Sequence, residues 1–187
     1  MNKLIVISAP SGAGKTSIVH YLMKKINQLS FSISCTSRKK RHNEIDGRDY
    51  YFLSSEDFKK KIDSNEFIEW EEVYPDQFYG TLHSEADRIF DQQKTAIFDV
   101  DVDGGINIKN KYHERCLSIF VMPPSISILE QRLRKRGSES EKDLYNRIEK
   151  AKQEMKKQTE FDRAILNENL NDACGEAFVL IKEFMNI

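Results

Sequence analysis

Long apolar runs are absent from this chain: no stretch approaches the ~18 apolar residues that a membrane-spanning helix needs. Membrane channels and carriers built of helices are excluded on that ground. The run Leu4 to Ala9 after Lys3 is too short for a secretory signal, and it leads directly into Gly14-Lys15-Thr16. Cysteine is scarce. Cys35, Cys116 and Cys174 are odd in number and widely spaced, which argues against a disulfide framework and for free thiols in a reducing compartment. A cytoplasmic location is therefore expected. His20, His42, His83 and His113 lie too far apart to give metal-ligand spacing. Excess charge is missing as well. A net charge of −1 supplies no global field toward nucleic acid or an anionic membrane, and neither is expected as a partner. Internal repeats, low-complexity tracts and flexible linkers are also absent.

What the chain does have is size and a phosphate-binding signature. Its 187 residues, 39% hydrophobic and 32% charged, suffice for one sizeable core with a small insertion. Ala9, Pro10, Ser11, Gly12, Ala13, Gly14, Lys15 and Thr16, followed by Ser17, stand between an apolar run and a helical pattern. Strand, glycine-rich loop and helix are the context that a P-loop requires. Gly12 and Gly14 let consecutive N–H groups turn toward phosphate oxygens, and the following helix adds the positive end of its dipole. Lys15 is expected to reach the β- and γ-phosphates of ATP or GTP, and the Thr16 hydroxyl to ligate Mg²⁺. The pattern asks for glycine at its first position, where this chain has Ala9.

Taken in order, Leu4 to Ser8 reads as a strand buried on both faces. Ile18, Val19, Leu22, Met23 and Ile26 give a helix its apolar face, and Phe31 to Ser34 reads as a second strand. Residues 35 to 49 are polar and basic, Tyr50 to Leu53 is extended, and Ser54 or Ser55 caps a helix carrying Phe58 and Ile62. Phe67 to Val73 alternates as a strand. Then come a helix from Ser84, a strand Ala96 to Val102, a helix after Gly104-Gly105, and a strand Leu117 to Met122 stopped by Pro123-Pro124. A helix from Ser125 to Arg136 precedes a longer one with Leu144, Ile148, Ala151 and Met155 in register. Ala164 to Leu166 is a last strand, and Ala173, Ala177, Leu180, Ile181 and Phe184 face the closing helix inward. Such alternation predicts an α/β fold whose parallel sheet is covered by helices on both faces, with a small, mostly β insertion.

Asp99 stands at the exit of a predicted strand, where P-loop enzymes place a carboxylate for Mg²⁺. Several motifs follow one another: Ser8-Ala-Pro-Ser-Gly-Ala-Gly-Lys15, Ser34-Cys-Thr-Ser-Arg38-Lys-Lys-Arg41, Gly47-Arg-Asp-Tyr50-Tyr-Phe, Glu66-Phe-Ile-Glu69-Trp, Phe78-Tyr79-Gly80-Thr81, Asp99-Val-Asp101 and Arg136-Gly137. In this order the chain resembles the guanylate kinase family of nucleoside monophosphate kinases over nearly its full length. The resemblance implies Mg-dependent phosphoryl transfer from ATP to GMP, and to dGMP. It also implies one domain in three parts: a core of residues 1–34, 84–136 and 151–187, a GMP-binding insertion at 35–83, and a short helical lid at 137–150.

Chemistry gives those positions roles. Arg38 and Arg41 can grip a dianionic phosphate bidentately, with hydroxyls from Tyr50 and Tyr79 beside them; the four-residue basic run by itself reads rather as a solvated face or nucleic-acid patch, and its place in the family motif reverses that. Guanine offers N1–H and an exocyclic NH₂ on one edge, and the Glu69 carboxylate can accept from both. Adenine would set a lone pair against it. From the family pattern, Ser34, Thr81 and Asp101 complete the contacts to the base, and Asn167 lies near the adenine of ATP. Arg132, Arg136 and Arg147 flank the lid, and Arg136 and Arg147 match arginines of the family's lid that stabilise the migrating phosphoryl group. Phe78 stands where relatives often have a second tyrosine, and Asp103 where many have glutamine. Cys35 inside the GMP motif is read as a small semi-buried residue, ahead of the alternative that it makes the site oxidation-sensitive. Two other readings are weighed: a non-catalytic guanylate-kinase-like binding module, and a P-loop kinase acting on another small phosphorylated metabolite. Retention of Lys15 and Thr16 counts against the first, and Glu69 with Arg38 and Arg41 against the second.

Overall fold

The structure, a computed structural model, describes residues 2–136 and 141–187. All five residues of β1 (Leu4–Ser8) are buried, as an unbroken apolar run demands in a parallel strand covered on both faces. Its side chains alternate. Ile5 and Ile7 enter one core with Ile18, Val19 and Leu22 of α1 (Lys15–Lys25), while Leu4 and Val6 enter a second core on the opposite face.

The chain continues through β2 (Leu29–Phe31), β3 (Cys35–Thr36), β4 (Tyr51–Phe52), α2 (Ser55–Asp63), β5 (Phe67–Tyr74), β6 (Gln77–Leu82), α3 (His83–Asp91) and β7 (Thr95–Asp99). It ends with α4 (Val102–Tyr112), β8 (Cys116–Met122), α5 (Ile126–Arg136), α6 (Glu141–Lys156), β9 (Arg163–Leu166) and α7 (Leu170–Met185). The main sheet is parallel in the order β2-β7-β1-β8-β9. Because β1 pairs with β7 on one side and β8 on the other, the sheet opens a crevice at the carboxyl ends of β1 and β7. Helices α1, α5, α6 and α7 cover one face, and α3 and α4 the other. The expected α/β class is borne out.

A second sheet, ordered β4-β3-β6-β5, is built from the segment after β2. Its core is aromatic: Phe58 of α2 stacks on Phe67 at 4.4 Å between ring centroids and on Phe78 at 5.4 Å, with Cys35 among them. The Ser54 hydroxyl caps α2 by accepting the Asp57 N–H at 3.0 Å.

Boundaries differ from the sequence expectation for identifiable reasons. The second strand ends at Phe31 rather than Ser34, because Ile33 donates its N–H to the Glu85 carboxylate at 2.8 Å as the chain departs toward the second sheet. The strand expected over Ala96 to Val102 stops at Asp99, because the Asp101 carboxylate caps α4 by accepting the Gly104 N–H at 2.8 Å. Strand β6 has no clean alternation in its sequence; it forms by antiparallel pairing with β5 across a tight turn in which Asp76 holds φ of +57°. On α6 the buried residues are Leu144, Ala151 and Glu154, with Met155 half-buried.

Candidate active site

The loop joining β1 to α1 turns on Gly12 and Gly14, with φ of +92° and +99°, a region closed to most L side chains. A Cβ on Gly14 would also lie 2.2 Å from Asn167 Nδ2. Ala13 closes the turn by donating its N–H to the Pro10 carbonyl at 3.0 Å. Ala9 is buried and is not among the positive-φ residues, so alanine fits the loop's first position. No side chain caps α1, and the Ser17 and Ile18 N–H groups donate to the Gly14 carbonyl, which leaves the helix dipole and the N–H groups ahead of them to an anion.

Lys15 Nζ sits 2.6 Å from Asp99 Oδ1 and 2.6 Å from the Val100 carbonyl oxygen. The Thr16 hydroxyl donates to Asp99 Oδ2 at 3.4 Å. Hydroxyl and carboxylate are the hard oxygen donors that Mg²⁺ accepts, with its remaining positions going to water and phosphate. Among the described residues, no cluster of three or more His, Cys, Asp or Glu side chains could hold a metal on its own. An ion at Thr16 and Asp99 would thus depend on the nucleotide's phosphates.

Asn167 braces the loop from the far side. Its Nδ2 donates to the Ala13 carbonyl at 2.7 Å, its own carbonyl accepts Arg132 Nη2 at 2.9 Å, and its buried Oδ1 has no partner. With Ser17 and Leu170 it lines a shallow depression beside Gly12 and Gly14. From α6, Arg147 Nη1 donates to Ser11 Oγ at 3.0 Å. The side chain of Arg136 and most of the predicted lid's first turn, residues 137–140, lie outside the described residues.

Across the crevice, Arg38 is held from several sides. Its Nη1 and Nη2 donate to the two Glu44 carboxylate oxygens at 2.7 and 2.5 Å, and its Nε to the Tyr79 hydroxyl at 3.1 Å. The guanidinium lies 5.1 Å from the Tyr50 ring centroid and 5.6 Å from that of Phe52, within cation–π range. Glu44 also accepts the Arg41 N–H at 2.8 Å, so it organises both arginines. The hydrogen bonds from Arg38 pull its carboxyl down to about 2 and push the guanidinium up. Burial pushes the Tyr50 phenol up, so it stays a neutral donor. The Arg41 side chain is exposed. Phe78 points to the opposite face of β6 from Tyr79, into the aromatic core, so a hydroxyl missing there takes nothing from this cradle.

Glu69 and Thr81 are cross-strand partners and both are buried. The Thr81 hydroxyl has no hydrogen-bond partner. Desolvation pushes the Glu69 carboxyl up to about 7, with the Asp101 charge adding to it. Gly104 seats this pair: a Cβ there would lie 2.8 Å from Glu69 Oε2 and 2.9 Å from Asp101 Oδ1. Ser34, half-buried, accepts the Tyr51 N–H through its carbonyl at 2.9 Å. Asp103 takes up an ion pair with Lys157, which accounts locally for the acidic side chain at that position. Cys35 is fully buried and burial lifts its thiol to about 12, so its environment favours the reading as a packed small residue over the oxidation-sensitive alternative.

Sequence reasoning missed Glu44 and Glu154. Glu44 lies in an exposed, irregular charged segment, where no periodicity singles it out. Glu154 is 8% exposed on α6, and burial lifts its carboxyl to about 7. Its spacing of seven residues from Arg147, two helical turns along, was the available signal.

A P-loop at the switch point of a parallel sheet, with a strand-end carboxylate facing its lysine, defines a P-loop phosphotransferase. The family model described as guanylate kinase matches residues 1–184. This chain belongs to the guanylate kinase family. It is 49% identical to a guanylate kinase of Porphyromonas gingivalis over 187 residues, covering 99% of each chain. With the Bacteroides thetaiotaomicron guanylate kinase it shares 48% identity over 98% of this chain and 90% of that one. The crystal structure of guanylate kinase from Anaplasma phagocytophilum superposes with a TM-score of 0.77 at 26% identity, over 97% of this chain and 85% of that one.

Proposed function

We propose that the chain transfers the terminal phosphoryl group of ATP to GMP, and to dGMP, giving ADP and the corresponding diphosphate. The observation that carries this reading is the placement of Asp99 and Asp101. Two residues apart at the end of β7, one pairs with the P-loop lysine and the other lies beside Glu69. Donor and acceptor sites therefore share one short segment, which brings two nucleotides together.

In this reading, Ala9 to Ser17 cradle the ATP phosphates, with Asn167 beside the donor base. Thr16 and Asp99 would hold Mg²⁺, which would supply charge neutralisation at the nucleotide's phosphates. Arg38, Arg41, Tyr50 and Tyr79 take the GMP phosphate, and Ser34, Glu69, Thr81 and Asp101 its base. Lys15, Arg136 and Arg147 stabilise charge on the phosphoryl group in flight. The GMP phosphate oxygen attacks directly, so no protein nucleophile is needed. The division into core, insertion at 35–83 and lid at 137–150 suits this scheme: the core carries the ATP loop, the insertion most of the GMP contacts, and the lid Arg147. Buried free cysteines fit a cytoplasmic setting, and no described helix is long and apolar enough to cross a membrane.

The test is ADP formation from MgATP with GMP, dGMP, AMP, CMP and UMP offered separately. Turnover with GMP and dGMP alone is expected; turnover with none of the five would overturn the reading.

The Glu44 contacts add a further expectation. Glu44→Gln leaves Arg38 only one carbonyl acceptor in place of a carboxylate fork. The KM for GMP should rise about tenfold, the scale of one lost charge-assisted hydrogen bond. The KM for MgATP should stay within about twofold of wild type, since Glu44 belongs to the acceptor side. Steady-state kinetics check both, and an unchanged KM for GMP would show that Tyr50 and Tyr79 hold Arg38 unaided.

A further inference from the structure

One face of α6 spans the two nucleotide sites. Residues 147, 150, 151 and 154 follow helical spacing and so share a side of the helix. Arg147 reaches the P-loop at Ser11. Ala151 packs into the main core, and Glu154 is buried within the field of Lys150, Asp101 and Lys15. Lys150 reaches the other way. Its Nζ lies 3.8 Å from Glu71 Oε1 on β5 and 3.8 Å from Glu154 Oε1 on its own helix.

The Glu71 position matters because of what surrounds it. Glu71 follows Glu69 by two residues in a regular stretch of β5, so both project from the same face of the second sheet. Its cross-strand partner is Tyr79, whose hydroxyl holds Arg38. Glu71 Oε2 is buried without a hydrogen-bond partner, and its other oxygen, Oε1, faces the Lys150 ammonium. Lys150 thus meets the acceptor face between the base-reading and phosphate-gripping residues.

We propose that Lys150 is a positioning residue for phosphoryl transfer: through Glu71 it registers the lid helix on the acceptor sheet, so that Arg147, one turn away, arrives at the donor loop when the acceptor face is in place. A separation of 3.8 Å exceeds hydrogen-bond length and the Lys150 side chain is 47% exposed. Such a pair is weak, as a lid contact must be if it is to open at every turnover. The inference rests on the GMP kinase reading and adds to it a residue that touches neither nucleotide.

Steady-state kinetics of Lys150→Met, Glu71→Gln and the double variant test it, with wild type and Lys150→Arg alongside. Each single variant should lower kcat/KM for GMP by about three- to fivefold, the scale of a half-exposed ion pair. The KM for MgATP should stay within about twofold, and the double variant should match the worse single one, as expected when both remove one interaction. Lys150→Arg, which keeps the charge, should restore most of the loss. Raised ionic strength should narrow the gap between wild type and Lys150→Met. Wild-type-like kinetics in Lys150→Met, additive effects in the double variant, or no recovery with arginine would each overturn the positioning role. Absence of GMP turnover in wild type itself would overturn the underlying functional reading instead.

Discussion

Lys15→Ala is expected to lower kcat by about 10³-fold or more, because a preorganised cation at the transferring phosphoryl group is among the largest single contributions to such a reaction. In the structure this ammonium is held by the Asp99 carboxylate and the Val100 carbonyl, each at 2.6 Å. Those contacts keep it at the mouth of the loop; in the proposed reaction the ammonium would turn to the nucleotide's phosphates, and Asp99 with Thr16 would be left to hold Mg²⁺. Alanine removes the cation and leaves Asp99 facing the nucleotide's negative charge without it, so MgATP affinity should fall too. Folding should be retained, since alanine is a strong helix former and Lys15 is the first residue of α1. GMP affinity, measured by calorimetry without ATP, should change less than about twofold, because neither contact of the Lys15 ammonium, to Asp99 and to the Val100 carbonyl, is with a residue assigned to GMP. A loss of kcat below about tenfold would show that the lid arginines carry the charge stabilisation instead.

How much of this was legible beforehand follows from which interactions are local. The P-loop was readable because strand, glycine turn and helix are consecutive, and the backbone geometry at Gly12 and Gly14 is written in residue type. Asp99 was readable as the end of an apolar run. The main sheet was readable because its strands are short apolar blocks separated by amphipathic helices. The limits of β2 and β7 were not, because Glu85 and Asp101 set them by catching N–H groups of Ile33 and Gly104. Strand β6 was illegible for a related reason: its order comes from β5, not from its own pattern. Resemblance named Arg38 and Arg41 where charge alone could not, yet it left out Glu44, which templates both. Charged residues buried by tertiary contact, Glu154 above all, defeat hydrophobic periodicity, since the pattern ranks them as surface.

Glu69→Gln should reduce kcat/KM for GMP by roughly 10²–10³-fold while leaving the KM for MgATP within about twofold of wild type. A carboxylate accepts from both N1–H and the exocyclic amine of guanine; a carboxamide accepts from one and sets its own NH₂ against the other. Since burial holds the Glu69 carboxyl at about 7, wild type should also bind GMP more tightly as pH rises through that value, because only the ionised form accepts both donors. GMP's own phosphate ionises near pH 6, so the comparison that isolates Glu69 is the ratio of wild-type to Glu69→Gln affinity across pH 6 to 8. Stability moves in the opposite direction. The folded state holds this proton more tightly than the unfolded chain, whose carboxyl titrates near 4.5, so stability falls as pH rises from about 4.5 to about 7 and then levels. The shift corresponds to about 3 kcal/mol, and the buried Glu154 adds a contribution of the same sign. Urea midpoints of wild type should therefore drop over this interval, and those of Glu69→Gln should drop by less. Glu69, proposed to select guanine, is then destabilising in the free protein at neutral pH, and GMP, by supplying two donors to it, should raise the urea midpoint more at pH 8 than at pH 6. A GMP-induced shift that is equal at both pH values would remove Glu69 from the role of base acceptor.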